Sequence, residues 1–293
     1  MSPRSAEAAL LAHDLVLGSS GREVVVFAHG ILGSRTNWKS FARTAHRSSG
    51  LGTLTVDLRN HGQSHGFAPP HSVQAAADDV GRLCAHLDLR PRLLVGHSWG
   101  GKAMAQLALD NVDVNAALIV DAPFGIRVFG QALGSAVPIA PGPRARGEGT
   151  GGDGSIEGVI DVVSSVAMPV RSRKELVEIL LSRGLSLPLA QWMTTNLDEQ
   201  LNWKFDLAAI GPMLLSFGAL DLWPAMLAHR PGLAIHLARG GRSDRWTVNE
   251  TARVVAAAAA GVVVDHVLEG AGHWVHTDDP EGLLAVLMAS LAP

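Results

Sequence analysis

Gly96-His97-Ser98-Trp99-Gly100 sets a serine between two glycines, where the apolar run Arg92-Leu93-Leu94-Val95 gives way to the helix formers of 103–108. A strand turning this sharply into a helix leaves no room for side chains beside the turn, so the glycines are a steric requirement and the hydroxyl stands clear. Ser98 is therefore the candidate nucleophile. A serine hydroxyl attacks only when a base takes its proton. His273, in the glycine-flanked turn Glu269-Gly270-Ala271-Gly272-His273 that follows the apolar run 262–268, is the candidate base, with His276 as the fallback. The imidazole needs a carboxylate to hold its tautomer and stabilise its cation. Two aspartates qualify: Asp244, beyond the penultimate predicted strand, and Asp121, beyond the strand after the elbow. The order Ser, Asp, His along the chain favours Asp244.

The carbonyl under attack becomes an oxyanion and calls for backbone N–H donors. One is expected from Trp99, the residue after the nucleophile, at a helix N-terminus. The other is expected from Ile31, in His29-Gly30-Ile31-Leu32-Gly33, where the glycines let the loop fold back and His29 braces it. Losing one such donor costs about 3–4 kcal/mol of transition-state stabilisation. A phosphate loop competes for the same residues, since Gly96 through Lys102 fits Gly-x4-Gly-Lys. That motif needs a Ser or Thr after the lysine to hold Mg²⁺, and the position is Ala103.

These residues must be carried by elements that bring them together. Apolar, β-branched runs at 24–28, 51–57, 92–95, 116–120, 233–238 and 262–268 read as strands, with helices at 72–89, after the elbow, at 247–260 and at 283–291. The alternation predicts a doubly wound, mostly parallel sheet. It stops between 124 and 205. Residues 140–158 are rich in Gly, Pro and Arg and read as a flexible loop, and 156–168, 172–183 and 187–195 read as short helices. The expected division is a discontinuous core of 1–123 and 206–293, with 124–205 as a helical cap over the strand ends, where ligands of open α/β sheets bind. Trp192, Met193, Trp203 and Phe205 are candidate pocket residues there. Gly149 through Gly154 matches Gly-x-Gly-x-x-Gly, but no strand precedes it, which makes it linker composition.

The 293 residues are nearly half apolar, enough for a substantial core, with a net charge of −3 and no basic stripe. Nucleic acid and anionic membrane surfaces are poor partners for such a chain. One cysteine, Cys84, excludes an internal disulfide and a cysteine-based zinc site, and its setting is that of a small buried helix residue. No secretory segment opens the chain, and the longest apolar run, 254–264, is too short to span a bilayer. The expectation is a soluble intracellular protein, cytoplasmic or organellar (mitochondrial or plastid).

Three stretches together, the elbow through Lys102, His29 through Trp38 and Asp57-Leu58-Arg59-Asn60-His61-Gly62-Gln63-Ser64, resemble the α/β-hydrolase superfamily, and within it the ABHD11/YbfF-type serine esterases. Asn202 through Leu207 and Gly272-His273-Trp274-Val275-His276 fit the same subgroup, and the resemblance covers nearly the whole chain. It implies the α/β-hydrolase fold with an inserted helical cap, and hydrolysis of small to medium carboxylic esters or thioesters through an acyl-serine, without metal or organic cofactor. In that subgroup the position of Asp244 is mostly not acidic, that of Asp121 is retained, and Met mostly stands at 99, where the indole would narrow an acyl pocket. Both aspartates stay open. A dehalogenase or epoxide hydrolase would carry Asp where Ser98 stands. The alternatives are a ligand-binding or receptor protein on the same fold, and a partner-stabilising protein.

Overall fold

The computed structural model describes residues 9–111, 113–129 and 155–292. The predicted Gly-rich loop falls mostly outside the described residues, as do the Gly-x-Gly-x-x-Gly match and most of the cap's first thirty residues.

Among the described residues seven strands form one sheet, in the order β1-β3-β2-β4-β5-β6-β7. They are β1 (His13–Val16), β2 (Glu23–Ala28), β3 (Gly52–Val56), β4 (Arg90–His97), β5 (Ala116–Val120), β6 (Ala234–Gly240) and β7 (Val264–Leu268). Only β1 runs antiparallel to its neighbour; every other pair is parallel. The central strands read as unbroken apolar runs because both their faces are covered. Alternate residues of β2 separate accordingly: Val24, Val26 and Ala28 enter one core cluster, Val25 and Phe27 the other.

The second cluster is closed by α1 (Lys39–Ser49) and α11 (Pro280–Ser290), through Phe41, Ala45, Leu283 and Leu287. The first is covered by α2 (Val73–His86), α3 (Trp99–Asp110), α7 (Leu207–Ala219) and α9 (Val248–Ala259). Between β5 and α7 lie α4 (Ile156–Ser164), α5 (Arg173–Ser182) and α6 (Leu187–Thr194). Their apolar residues Val163, Leu180 and Met193 belong to that same cluster, so these helices have no core of their own among the described residues. The short α8 (Trp223–Leu227) and α10 (Val275–Asp278) complete the order.

Lys102 shows why the phosphate-loop resemblance carries no chemistry. The side chain is wholly buried in α3, and its Nζ donates to Gly125 O (2.9 Å), Phe217 O (2.7 Å) and Leu220 O (2.7 Å). Burial lowers the ammonium pKa to about 8, which leaves it protonated at neutral pH. This cation joins α3 to the end of α7 instead of reaching a ligand. Cys84 is buried in α2, and burial pushes its thiol up to about 12, so it behaves as an inert apolar residue. No described helix is long and apolar enough to cross a membrane.

Candidate active site

Ser98 links β4 to α3 with φ 53° and ψ −119°, a conformation that non-glycine residues rarely adopt. Strain of this kind costs about 1–3 kcal/mol and persists only where the surroundings enforce it. Here they do. A Cβ at Gly96 would lie 2.3 Å from Gly100 O, and one at Gly100 would lie 2.3 Å from His29 O. The Ser98 amide donates to Val120 O at 2.9 Å, which fixes the turn against the end of β5.

Asp121 follows β5, also at positive φ (47°), and is fully buried. Its carboxylate accepts from Gly240 N (3.0 Å), Trp246 Nε1 (2.8 Å), Ser243 Oγ (2.5 Å) and His273 Nδ1 (2.7 Å). Four donors fill the lone-pair directions of a carboxylate. The last of them turns the His273 ring so that Nε2 is its free nitrogen.

Asp244, the acid that chain order favours, does not take this place. Its side chain is 68% exposed and pairs with Arg245 Nε at 3.1 Å. The physical reason is the loop after β6: Gly240, Ser243 and Trp246 all direct donors at Asp121, and Asp244 between them faces outward.

Ser98, Asp121 and His273 line one cavity of about 410 Å³, together with Ile31 and Trp99. The Ser98 hydroxyl makes no hydrogen bond among the described residues. Such bonds are commonly long in free enzymes and tighten around substrate. His276 lines the cavity too, yet among the described residues no carboxylate is hydrogen-bonded to it; burial lowers its pKa to about 4. Its ring packs 4.7 Å from Trp38 and 4.9 Å from His97. His97 is held well below the usual imidazole range, first by burial and then by its two histidine neighbours. In the neutral state its Nε2–H donates to His273 O at 2.9 Å.

The loop from His29 to Gly33 is held by His29 together with His61 and Asp57, of which only His29 is expected from the sequence to brace it. The Leu32 amide donates to His61 Nε2 (3.1 Å) and the Gly33 amide to Gly30 O (3.1 Å), which leaves the Ile31 amide without an acceptor among the described residues. Trp99 opens α3, so its amide has no helical acceptor either. Asp57 is buried and accepts from the amides of Arg35 (2.7 Å) and Gln63 (2.9 Å) and from the Arg35 guanidinium. His29 accepts from Leu58 N at 3.0 Å and contacts Gly30 O at 2.7 Å. The Asp57–Ser64 stretch is thus a brace for this loop. Its signal in the sequence was the density of polar side chains directly after a buried strand.

Of the four expected pocket residues only Trp192 lines the cavity. Met193 is fully buried in the core. Trp203 and Phe205 stack on each other at 5.2 Å and Phe205 packs on His61, so they fasten the segment before α7 to the brace. Trp99 lines the cavity, and its indole is held by Nε1 donating to Met213 O at 2.9 Å.

Two of the bracing histidines titrate far from their ordinary range. Burial lowers His29 to about 4 and, with the neighbouring His29, lowers His61 to about 3. The unfolded chain binds these protons near pH 6.5 and the native protein refuses them until pH 3–4. Stability is therefore full above about pH 6.5 and declines as the pH falls, by about 1.4 kcal/mol per pH unit for each such histidine. Urea unfolding from pH 7.5 to 4.5 should show this decline, and His61→Gln should remove one histidine's share of the slope. An unchanged slope in that variant would refute the assignment.

The sequence model of the Alpha/beta hydrolase family matches residues 25–286, and the chain belongs to that family. Among curated relatives, the sn-1-specific diacylglycerol lipase ABHD11 of Mus musculus is 28% identical over 290 residues, spanning 96% of this chain and 85% of the mouse protein. Its counterpart in Xenopus tropicalis is 29% identical over 282 residues, 94% and 79% of the two chains. A solved structure, a marine microorganism esterase, superposes with a TM-score of 0.73 at 20% identity, covering 96% of this chain and 99% of that one. These relatives are esterases and lipases, and ester hydrolysis is the activity class they support.

Proposed function

We propose that this chain is a serine hydrolase that cleaves carboxylic esters or thioesters of small to medium acyl length through an acyl-serine intermediate, with Ser98 as nucleophile, His273 as base and Asp121 as its orienting acid. The observation that carries this reading is the 2.7 Å contact from His273 Nδ1 to a buried Asp121, in the cavity that also holds the strained Ser98 turn. Ser98 Oγ attacks the carbonyl carbon while His273 Nε2 takes its proton. The amides of Ile31 and Trp99 receive the oxyanion. Collapse breaks the bond to the leaving alcohol or thiol, which takes the proton back from His273. Water then repeats the sequence at the acyl carbon and releases the acid.

The helical segment α4–α6 supports a lid assignment, since Ile156, Val159, Leu189 and Trp192 wall the cavity on that side. The 28%-identical mouse lipase makes an acylglycerol one substrate to try.

The test is a fluorophosphonate probe, which labels only an activated serine. One label per chain is expected, mapped by mass spectrometry to the peptide carrying Ser98 and abolished by His273→Gln. An unlabelled wild-type protein, or label on another serine, would overturn the reading. It would favour the ligand-binding alternative on this fold.

A further inference from the structure

The loop after β6 touches both partners of the Asp121–His273 pair. Its backbone is tied to the turn that carries His273. Gly241 N donates to Leu268 O and Arg242 N to Ala271 O, each at 2.9 Å, and the Arg242 guanidinium donates to Gly270 O. Gly240 meets this turn so closely that a Cβ there would lie 2.1 Å from Gly272 O. From the same loop, Ser243 and Trp246 direct their side chains onto Asp121.

These two donors are not equivalent. Trp246 Nε1 and the Gly240 amide both meet Oδ1, at 2.8 and 3.0 Å, whereas Ser243 Oγ meets Oδ2 at 2.5 Å. Oδ2 is also the oxygen that accepts His273 Nδ1 at 2.7 Å. One oxygen therefore serves a serine hydroxyl and the imidazole together. The Arg245 amide donates to Ser243 Oγ at 3.3 Å, and a carboxylate has no proton to give, so the hydroxyl proton lies toward Asp121. A donor on a carboxylate oxygen stabilises its charge and leaves less of it to a second donor. Trp246 is braced from behind by Arg239, 5.3 Å from its ring and held by Asp265 at 2.8 and 2.6 Å.

The other titratable groups around His273 come from four elements. His97 of β4 lies 4.6 Å away between ring centres, and His276 and Asp278 belong to α10. Glu269 starts the turn before His273, and Arg239, Asp244 and Arg245 belong to β6 and its loop. Burial keeps His97 and His276 uncharged in the neutral range. Asp278 accepts the Gly272 amide, Arg239 pairs with Asp265, and Asp244 with Arg245. Replacing Ser243 changes none of these charges.

We propose that Ser243 is a positioning residue that shares Asp121 Oδ2 with His273, and so sets how strongly the acid backs the imidazolium formed during attack. Activity then persists to lower pH than the Asp–His pair alone would allow. This inference rests on the triad proposed above, and the two can fail separately.

The test compares Ser243→Ala, Ser243→Val and Ser243→Thr, with Trp246→Phe as the control on the other oxygen. Valine fills the space a replacing water would take, and threonine keeps the hydroxyl. Hydrolysis of 4-nitrophenyl butanoate, which carries no titratable group, is followed from about pH 5 to 9, where kcat/KM reports the free enzyme's base. In the Ala and Val variants the pH at which kcat/KM reaches half its plateau should rise by about half a pH unit or more. The NMR signal of the His273 Nδ1 proton, assigned by its loss in His273→Gln, should move further downfield in both. Threonine should restore profile and signal. Trp246→Phe should move them less than half as far, because its oxygen is not the one His273 uses.

A profile or signal that stays put in the Ala and Val variants overturns the proposal. So does a shift in Ser243→Thr as large as in Ser243→Val, or a larger one in Trp246→Phe than in Ser243→Ala. Absence of hydrolysis by the wild type overturns the catalytic reading instead. The NMR signal, read on Ser98→Ala protein that does no chemistry, still decides on Ser243.

Discussion

Ser98→Ala should lower kcat/KM for a short neutral 4-nitrophenyl ester by at least about a thousandfold, more than about 4 kcal/mol of transition-state stabilisation. The loss is this large because the attacking hydroxyl itself is removed; Ser186 and Thr277 also line the cavity, but neither sits on the strained turn that presents Ser98. What remains, an oxyanion pocket and a base, accelerates only the direct attack of water. The fold should be untouched: among the described residues the Ser98 hydroxyl has no hydrogen bond to lose, and Cβ stays in place. Ser98→Gly makes a sharper comparison. It should be equally inactive yet more stable than Ser98→Ala by about 1 kcal/mol, because glycine adopts φ 53° without strain. Turnover of either variant within tenfold of the wild type would remove the nucleophile from the proposal. Equal stability of the two would show that the turn at 98 stores no strain.

The parts of this molecule legible in the sequence are those that local sterics dictate. The strand–Gly–x–Ser–x–Gly–helix turn can be read because strand, turn and helix are contiguous, and each glycine answers a clash inside the turn itself. The central strands are readable for a similar reason: burial on both faces leaves no polar position to confuse them. At the edge this fails. β1 is four residues long, half exposed, and reads as His-Asp-Leu-Val, with too little apolar signal to announce a strand. α1 escapes for a related reason, since only Phe41, Ala42 and Ala45 of its eleven residues are buried.

Around the cavity, what could not be read is direction. Trp192 and Met193 are neighbours on α6, yet one faces the cavity and the other the core. Trp203 and Phe205 are aromatic residues near a site, but their stacking partner lies in the brace under the loop at 29–33. His61 and Asp57 act through hydrogen bonds to residues 29 and 22 positions away, and spacing carries no trace of such contacts.

The choice between the aspartates gives the second large effect. Asp121→Asn should cut kcat/KM by about 10³–10⁴-fold, whereas Asp244→Asn should change it by less than about threefold on a neutral ester. Asn at 121 keeps the shape but turns one acceptor oxygen into a donor. Three donors already point there from Gly240, Ser243 and Trp246, with His273 Nδ1–H as the fourth. The amide can satisfy about half of them, so the imidazole is freed to adopt the other tautomer, with its proton on the nitrogen that must accept from Ser98. Stability should fall as well, by about 1–3 kcal/mol for each buried donor left unpaired. Urea titration beside the rate measurement separates the two consequences, because Ser243→Ala removes one donor to Asp121 and leaves the contact to His273 in place. Asp121→Asn combined with Ser243→Ala should therefore regain stability while staying slow. A collapse in rate on changing Asp244, or no collapse on changing either aspartate, would show that the carboxylate nearest His273 does not orient it in catalysis.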